Sequence, residues 1–339
     1  MKLNKIALWG MALLMALSLS ACTKNKSETR ELFAMDTYMT LTAYGESADK
    51  ALDDAVRLIN ENDARWSVTR PESEVSRLNA QKSAAVSEET KQLLGRASEM
   101  SAFTDGAFDP PVYPLVKAWG FTTGAHRVPG DEETGGLLEL VGMDKLCLSG
   151  AEVSLSGGAQ IDLGGIAKGY TGDMVLSLLR KAGVKSAIVN LGGNVQTLGS
   201  KPDGSAWRIG IRSPYGSSRL GTVEVRNMCV ITSGAYERSF TAPDGTVYGH
   251  IISPFTGRPV QNACVSSTVV AEEGATADAL STALFVMGPE KAAEFWKAHG
   301  GFEFLMLDDQ GTLYVTEGIL SSFTPANGGD VKTVCEIKR

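Results

Sequence analysis

Histidine is almost missing from this chain, with three residues in 339. Cysteine is scarcely commoner, at five, and no two cysteines form a CxxC pair or stand beside a histidine at metal-ligand spacing. A zinc-ribbon site and a thioredoxin-like redox pair are thereby excluded. Cys147, Cys229, Cys264 and Cys335 read as small buried hydrophobes. Basic residues are outnumbered, with Lys+Arg 32 against Asp+Glu 39 and a net charge of −7. Residues 1–21 carry Lys2 and Lys5 and no acid, so the remainder is more acidic still. Such a chain has no general attraction for nucleic acid or anionic lipid, and a phosphorylated ligand would need a local device. Beyond residue 21 no run is long and apolar enough to cross a bilayer.

Glycine, by contrast, is plentiful: 37 residues, where about 7% is usual. With 43% hydrophobic and 21% charged residues, the composition excludes collagen, low-complexity and disordered classes. It points to a folded chain with many tight turns, large enough to bury a core without staples.

The first residues read as an export signal. Lys2 and Lys5 precede the apolar run Ile6 to Leu19, and Leu19-Ser20-Ala21-Cys22 follows. Small residues before a cysteine at the end of an apolar run resemble the lipobox of bacterial lipoproteins. The expected organisation is a signal peptide over 1–21, lipidated Cys22 with a tether over 22–30, one domain over 31–325 and a tail over 326–339. The expected location is the cell membrane, lipid-anchored on its extracytoplasmic face.

Apolar spacing predicts helices over Ser47–Asn60, Ser87–Ala102, from Gly169 to Gly183, over Ala277–Met287 and over Pro289–His299. Alternation predicts strands at Tyr38–Ala43, Val153–Leu155, Ala187–Asn190, Trp207–Arg212, Thr222–Ile231 and Val265–Val270. It also predicts a hairpin joining Phe302–Leu307 to Thr312–Thr316. No regular βαβ repeat emerges, so the fold class is α+β, as one large domain or two intimately packed α/β subdomains.

Three segments could carry chemistry. Asp162-Leu163-Gly164-Gly165-Ile166-Ala167-Lys168-Gly169 leads into a helix and suits an anion, although it fits neither GxGxxG nor a Walker A loop. Spacing alone leaves an ordinary strand-to-helix turn equally open. Asp278, Ser281 and Thr282 share one edge of an otherwise apolar helix, a hard oxygen set suited to Mg²⁺. Alternatively the aspartate complements the helix dipole while the hydroxyls bond back to the i−4 carbonyls. His250, in Tyr248-Gly249-His250-Ile251-Ile252-Ser253-Pro254, is set in a turn-rich, apolar-flanked segment, where it is either a general base or a structural residue.

Read in order, these and other segments resemble the FAD:protein FMN transferases, the ApbE family of flavin transferases. The string runs from Met35-Asp36-Thr37 through Glu72-Ser73-Glu74-Val75-Ser76-Arg77-Leu78-Asn79 and Gly106-Ala107-Phe108-Asp109-Pro110 to the Asp162 loop. Asn190-Leu191-Gly192-Gly193, Trp207 to Ile211, Thr232 to Phe240, His250 to Pro259 and Ala277 to Gly288 complete it. The resemblance implies a single ApbE-like, T-fold-related domain. It also implies Mg²⁺-dependent transfer of the FMN moiety of FAD to a threonine hydroxyl of an exported acceptor protein, releasing AMP.

By motif position, Gly165, Asp278, Ser281 and Thr282 would be metal ligands and His250 the base. Met35, Thr69, Ala107, Phe108, Asp109, Asp162, Lys168 and Ile252 would line the FAD site. Thr69 stands where the family often has an aromatic residue, and Pro111 where Phe-Asp-Pro-Thr is common. The family's acceptor motif, Asp-x-x-Ser/Thr-Gly-Ala-Thr, is echoed at Gly274-Ala275-Thr276, but Glu273 replaces the Ser/Thr, so the acceptor is expected to be another protein, such as a subunit of a membrane redox complex. Two other activities fit the same residues: an FAD pyrophosphatase giving FMN and AMP, and a non-catalytic flavin-binding lipoprotein.

Overall fold

The computed structural model describes residues 26–150, 152–216, 218–326 and 330–339. The signal peptide, Cys22 and residues 23–25 lie outside the described residues. Strands β1 (Ser27–Ala34) and β2 (Thr37–Tyr44) form a hairpin, followed by helices α1 (Ala48–Trp66) and α2 (Glu74–Gln81), strand β3 (Ser83–Ala85) and helices α3 (Glu88–Phe103), α4 (Tyr113–Ala118) and α5 (Asp131–Leu138). Strands β4 (Leu146–Ser149) and β5 (Glu152–Leu155) pair with β3 in a small sheet, ahead of α6 (Ala167–Lys181). Next come β6 (Ser186–Leu191), β7 (Asn194–Leu198), β8 (Trp207–Arg212), β9 (Arg219–Val225) and β10 (Cys229–Gly234). The short pair β11 (Ser239–Thr241) and β12 (Val247–Gly249) precedes β13 (Cys264–Ala271). Helices α7 (Gly274–Met287) and α8 (Pro289–His299) lead to the hairpin β14 (Glu303–Asp308) and β15 (Thr312–Thr316). Helix α9 (Glu317–Leu320) and strands β16 (Phe323–Pro325) and β17 (Thr333–Ile337) end the chain.

Among the described residues the principal sheet has nine strands in the order β1-β2-β6-β7-β10-β13-β14-β15-β17. All its pairings are antiparallel except β15 with β17, so the α+β expectation holds. Period-two alternation puts Met39, Leu41 and Ala43 of β2 wholly out of water, in one core with Leu52 and Ile59 of α1 and Val175 and Leu179 of α6. Each such leucine or isoleucine contributes about 1.5–3 kcal/mol by leaving water. A second core, holding Leu280, Leu284 and Phe285 of α7 together with Ile231 and Val269, fixes that helix on β10 and β13.

Several boundaries differ from expectation for physical reasons. Helix α1 continues past Asn60 because Asn62 and Trp66 extend its buried stripe, with Asn62 Nδ2 reaching Thr171 Oγ1 and Trp66 Nε1 donating to Thr90 Oγ1 at 2.9 Å. The single strand expected over Thr222–Ile231 is two, because Asn227 takes a left-handed φ of 51° that breaks the ladder. Residues 27–30, assigned to a tether, already belong to β1, and the C-terminal tail supplies β17 at the sheet edge. Cys229 and Cys264 are buried as expected, but Cys147 and Cys335 are exposed. No described helix is long and apolar enough to cross a membrane.

Candidate active site

Two turns and a strand end gather at one end of the large sheet. The Met35–Asp36 turn joins β1 to β2, and both residues adopt positive φ, 48° and 58°. That is the twist a two-residue hairpin favours but usually obtains from Asn-Gly, so Met35 is held against its own preference. Its amide donates to Asp63 Oδ1 at 3.0 Å. The Gly192–Gly193 turn between β6 and β7 abuts Thr37 so closely that a Cβ on Gly192 would overlap the threonine side chain. Strand β10 ends at the same edge with Ser233 and Gly234.

The Asp162 loop is brought here by α2. Ser73 caps that helix, accepting from the Ser76 amide at 2.9 Å, and Glu74 Oε2 accepts from the Ser87 amide and hydroxyl. The helix thereby presents Asn79, which clamps Ile161 as a strand neighbour would: Nδ2 donates to the Ile161 carbonyl at 2.8 Å, and Oδ1 accepts from its amide at 2.7 Å. The acidic-Ser-Glu run is thus a capped helix that positions the next loop. Within the loop, Asp162 Oδ1 accepts from the Gly164 amide at 2.8 Å and Lys168 Nζ donates to the Gly164 carbonyl. Burial raises the Asp162 carboxyl above its usual range, opposed by the Gly164 N–H and by the charges of Lys168 and Arg238.

Helix α7 faces this loop. Gly169, in the first turn of α6, lies against Gly274 and Asp278, and its amide donates to Asp278 Oδ2 at 2.8 Å. The other oxygen, Oδ1, takes no hydrogen bond from the described residues. Thr282 Oγ1 lies 3.6 Å from where a Gly165 Cβ would stand, and the Phe108 ring 3.1 Å from the same point. Thr282 therefore meets Gly165, and Asp278 meets Gly169, across more than a hundred residues of chain. Ser281 sits beside them, linked to Thr282 through the Ser233 hydroxyl. It is fully buried, and its hydroxyl donates to the Asp278 carbonyl and meets Ser233 at 2.7 Å.

His250 follows β12, with its amide donating to the Arg238 carbonyl and its Nδ1 3.3 Å from the same oxygen. That contact requires the proton on Nδ1 and leaves Nε2 as an acceptor. Burial, reinforced by the Arg238 and Lys168 charges, pushes the His250 pKa down to about 4. The ring is therefore neutral at physiological pH. Arg238 also approaches Asp36 at 3.8 Å. Asp36, Asp162, Lys168, Arg238 and His250 thus form one electrostatic neighbourhood; neither Asp36 nor Arg238 had been given a role from sequence.

The remaining candidates divide. Ala107 and Phe108 are buried beside the Gly165 turn. Asp109 has Oδ1 buried without a partner among the described residues, and burial pushes its pKa up to about 7. The Ile252 side chain packs with Leu115 and Trp119 in a separate small core, so it can offer a ligand only its backbone. Thr69 is exposed and bonds Ser67 Oγ at 3.0 Å. Trp66 is committed to the core and does not substitute for an aromatic there. Tyr113, which sequence had not singled out, reaches the Val68 carbonyl and feels the Asp162 charge. Its only signal was its place beside the Phe-Asp-Pro segment.

Among the described residues no three His, Cys, Asp or Glu side chains converge as a metal cage. A carboxylate oxygen with hydroxyl and backbone carbonyl oxygens nearby is instead the partial, all-oxygen set that suits Mg²⁺, whose shell is completed by water and ligand phosphates.

The chain matches the ApbE family over residues 35–306 and belongs to it. It is 37% identical over 243 residues to the FAD:protein FMN transferase of Vibrio cholerae, covering 69% of this chain and 72% of that one. With the enzyme of the same name from Klebsiella pneumoniae it shares 32% identity over 292 residues, covering 84% and 90%. Its fold matches the crystal structure of the ApbE protein of Thermotoga maritima with a TM-score of 0.81 at 31% identity, over 86% of this chain and 98% of that one. The apo flavinyl transferase ApbE of Pseudomonas stutzeri gives 0.77 at 31% identity, over 85% and 92%.

Proposed function

We propose that this member of the ApbE family is a flavin transferase that moves the FMN moiety of FAD, with Mg²⁺, onto a threonine hydroxyl of an exported acceptor protein and releases AMP. The observation that carries the reading is the meeting of Thr282 with Gly165 and of Asp278 with Gly169, on the loop that bears Lys168. Asp278 Oδ1, Thr282 Oγ1 and the Gly165 carbonyl, with Ser281 as the further expected ligand, would hold the ion. When bound, it would neutralise the pyrophosphate and the charge developing on the departing AMP. Lys168 and Arg238 add positive charge, and the Asp162 loop orders the backbone that faces the ligand. His250 accepts the threonine proton on Nε2, while the Arg238 carbonyl holds the Nδ1 proton and fixes the tautomer. The threonine oxygen bonds to the FMN phosphorus, and the bond from that phosphorus to the bridging oxygen breaks.

Glu273-Gly274-Ala275-Thr276 supports an acceptor on another chain. Thr276 Oγ1 is engaged by Arg96 and Glu273, and Asp173 caps the Gly274 and Ala275 amides, so this segment is a helix start rather than an accessible acceptor loop. The exposed Thr69, with no aromatic in its place, favours pyrophosphatase activity as the second reading. Incubation with FAD, Mg²⁺ and a threonine-bearing acceptor separates the cases. Transfer gives AMP and flavinylated acceptor together, hydrolysis gives AMP undiminished without acceptor, and a carrier gives bound FAD with no AMP. The lipid anchor at Cys22 is part of the proposal, and globomycin-sensitive processing of the expressed precursor tests it.

A further inference from the structure

We propose that Ser233 is a positioning residue for the divalent-ion site, turning the Thr282 hydroxyl so that its lone pairs face the Gly165 turn. The inference rests on the ligand set proposed above. A hydroxyl has one proton to donate. Ser281 Oγ lies 2.8 Å from the Asp278 carbonyl, which can only accept, so the Ser281 proton is spent there. Ser233 Oγ is 2.7 Å from Ser281 Oγ and must therefore be the donor in that pair. Its proton committed, Ser233 can only accept from Thr282 Oγ1 at 3.2 Å. The relay runs Thr282 to Ser233 to Ser281 to the Asp278 carbonyl, ending on the backbone of the residue that supplies the carboxylate.

A threonine in a helix otherwise tends to bond back to the i−4 carbonyl, here that of Asp278; Ser281 already occupies it. Ser267 faces Ser233 across the ladder, but it is fully buried and its hydroxyl has no partner among the described residues, so it does not draw the Ser233 proton away. Ser233 itself is fixed by β10 pairing with β13. With Ser233 in place, the Thr282 proton points to the sheet. Without it, the hydroxyl is free to rotate and can direct its proton at a cation.

Mn²⁺ binding to the mature protein, read by the EPR signal of the free ion with and without FAD, tests this. Ser233→Ala should weaken Mn²⁺ about tenfold, the lower end of what outer-shell substitutions cost metal sites, and Ser233→Thr should stay within about twofold of the parent. If Ser233→Ala does not fold, as judged by circular dichroism, the isosteric pair Ser233→Thr and Ser233→Val decides, with only the valine weakening binding. Unchanged affinity in the hydroxyl-less variant overturns the relay while leaving the ion site intact. An equal loss in Ser233→Thr assigns the effect to packing and also overturns it. Failure of the parent to bind Mn²⁺, or binding unchanged in Asp278→Ala, overturns the ion site and the relay with it.

Discussion

Replacing Gly169 by alanine probes the contact on which the site depends. A Cβ at residue 169 would fall on the Gly274 carbonyl, well inside van der Waals contact, and 2.7 Å from Asp278 Cβ. The nearest neighbours that would have to give way are backbone, and Gln196 Nε2 pins the Gly169 carbonyl at 2.7 Å. Gln196 is itself fully buried and closely surrounded by Gly172 and Gly274, so α6 cannot slide. Overpacking of this kind costs about 1–3 kcal/mol. Parting the helices also breaks the Gly169 amide bond to the Asp278 carboxylate, about 1.5–3 kcal/mol for a charged acceptor. The sum, roughly 3–6 kcal/mol, is a large share of the 5–15 kcal/mol that ordinarily holds a protein folded. Urea unfolding followed by circular dichroism should show that loss, and Mn²⁺ affinity should fall in whatever fraction remains folded. A variant within about 1 kcal/mol of the parent, with intact metal affinity, would refute the close-contact argument.

Other outcomes follow from individual groups. With its pKa pushed up to about 7 from 3.8, folded Asp109 holds a proton that the unfolded chain has lost, so its contribution to stability declines as pH rises through that window. Asp109→Asn should therefore match the parent near pH 4 and exceed it at pH 8 by at most about 4 kcal/mol; an equal difference in urea melts at both pH values would refute the burial argument. For His250 the sign is opposite. Its folded pKa of about 4 lies below the ordinary 6.5, so stability is lost as pH falls from 6.5 to 4, and the acidic limb of kcat/KM, which reports the free enzyme, should lie near 4; a limb at 6.5 contradicts it. Asn79→Ala strips both partners from Ile161 and should cost roughly 2–4 kcal/mol, with FAD affinity reduced among folded molecules by fluorescence titration. Loss of stability with FAD affinity untouched would separate the clamp from the site.

Where structural cues are local, the sequence was sufficient. Pro289 and Gly300 bound α8, and the turn at Asp308-Asp309-Gln310-Gly311 does join two strands. Helix α7 begins three residues before its expected start because its amides are capped by Asp173, a hundred positions upstream, and no local pattern announces such a cap. Helix α2 was missed because its sequence is mostly polar, and its purpose, holding Ile161 through Asn79, is visible only in three dimensions. The same holds at the site. The shared edge of Asp278, Ser281 and Thr282 was legible from polar residues interrupting an apolar helix, whereas the contact of Ser233 with Thr282 crosses the sheet-to-helix interface.

The central claim is that one divalent ion is held between α7 and the Asp162 loop. An anomalous-difference map from crystals of the mature protein grown with FAD and Mn²⁺ addresses it directly. The account predicts a single strong peak about 2.1–2.2 Å from Asp278 Oδ1, Thr282 Oγ1 and the Gly165 carbonyl, touching the FAD pyrophosphate. A map with FAD in place but no peak there, or with the ion on other residues, would contradict it.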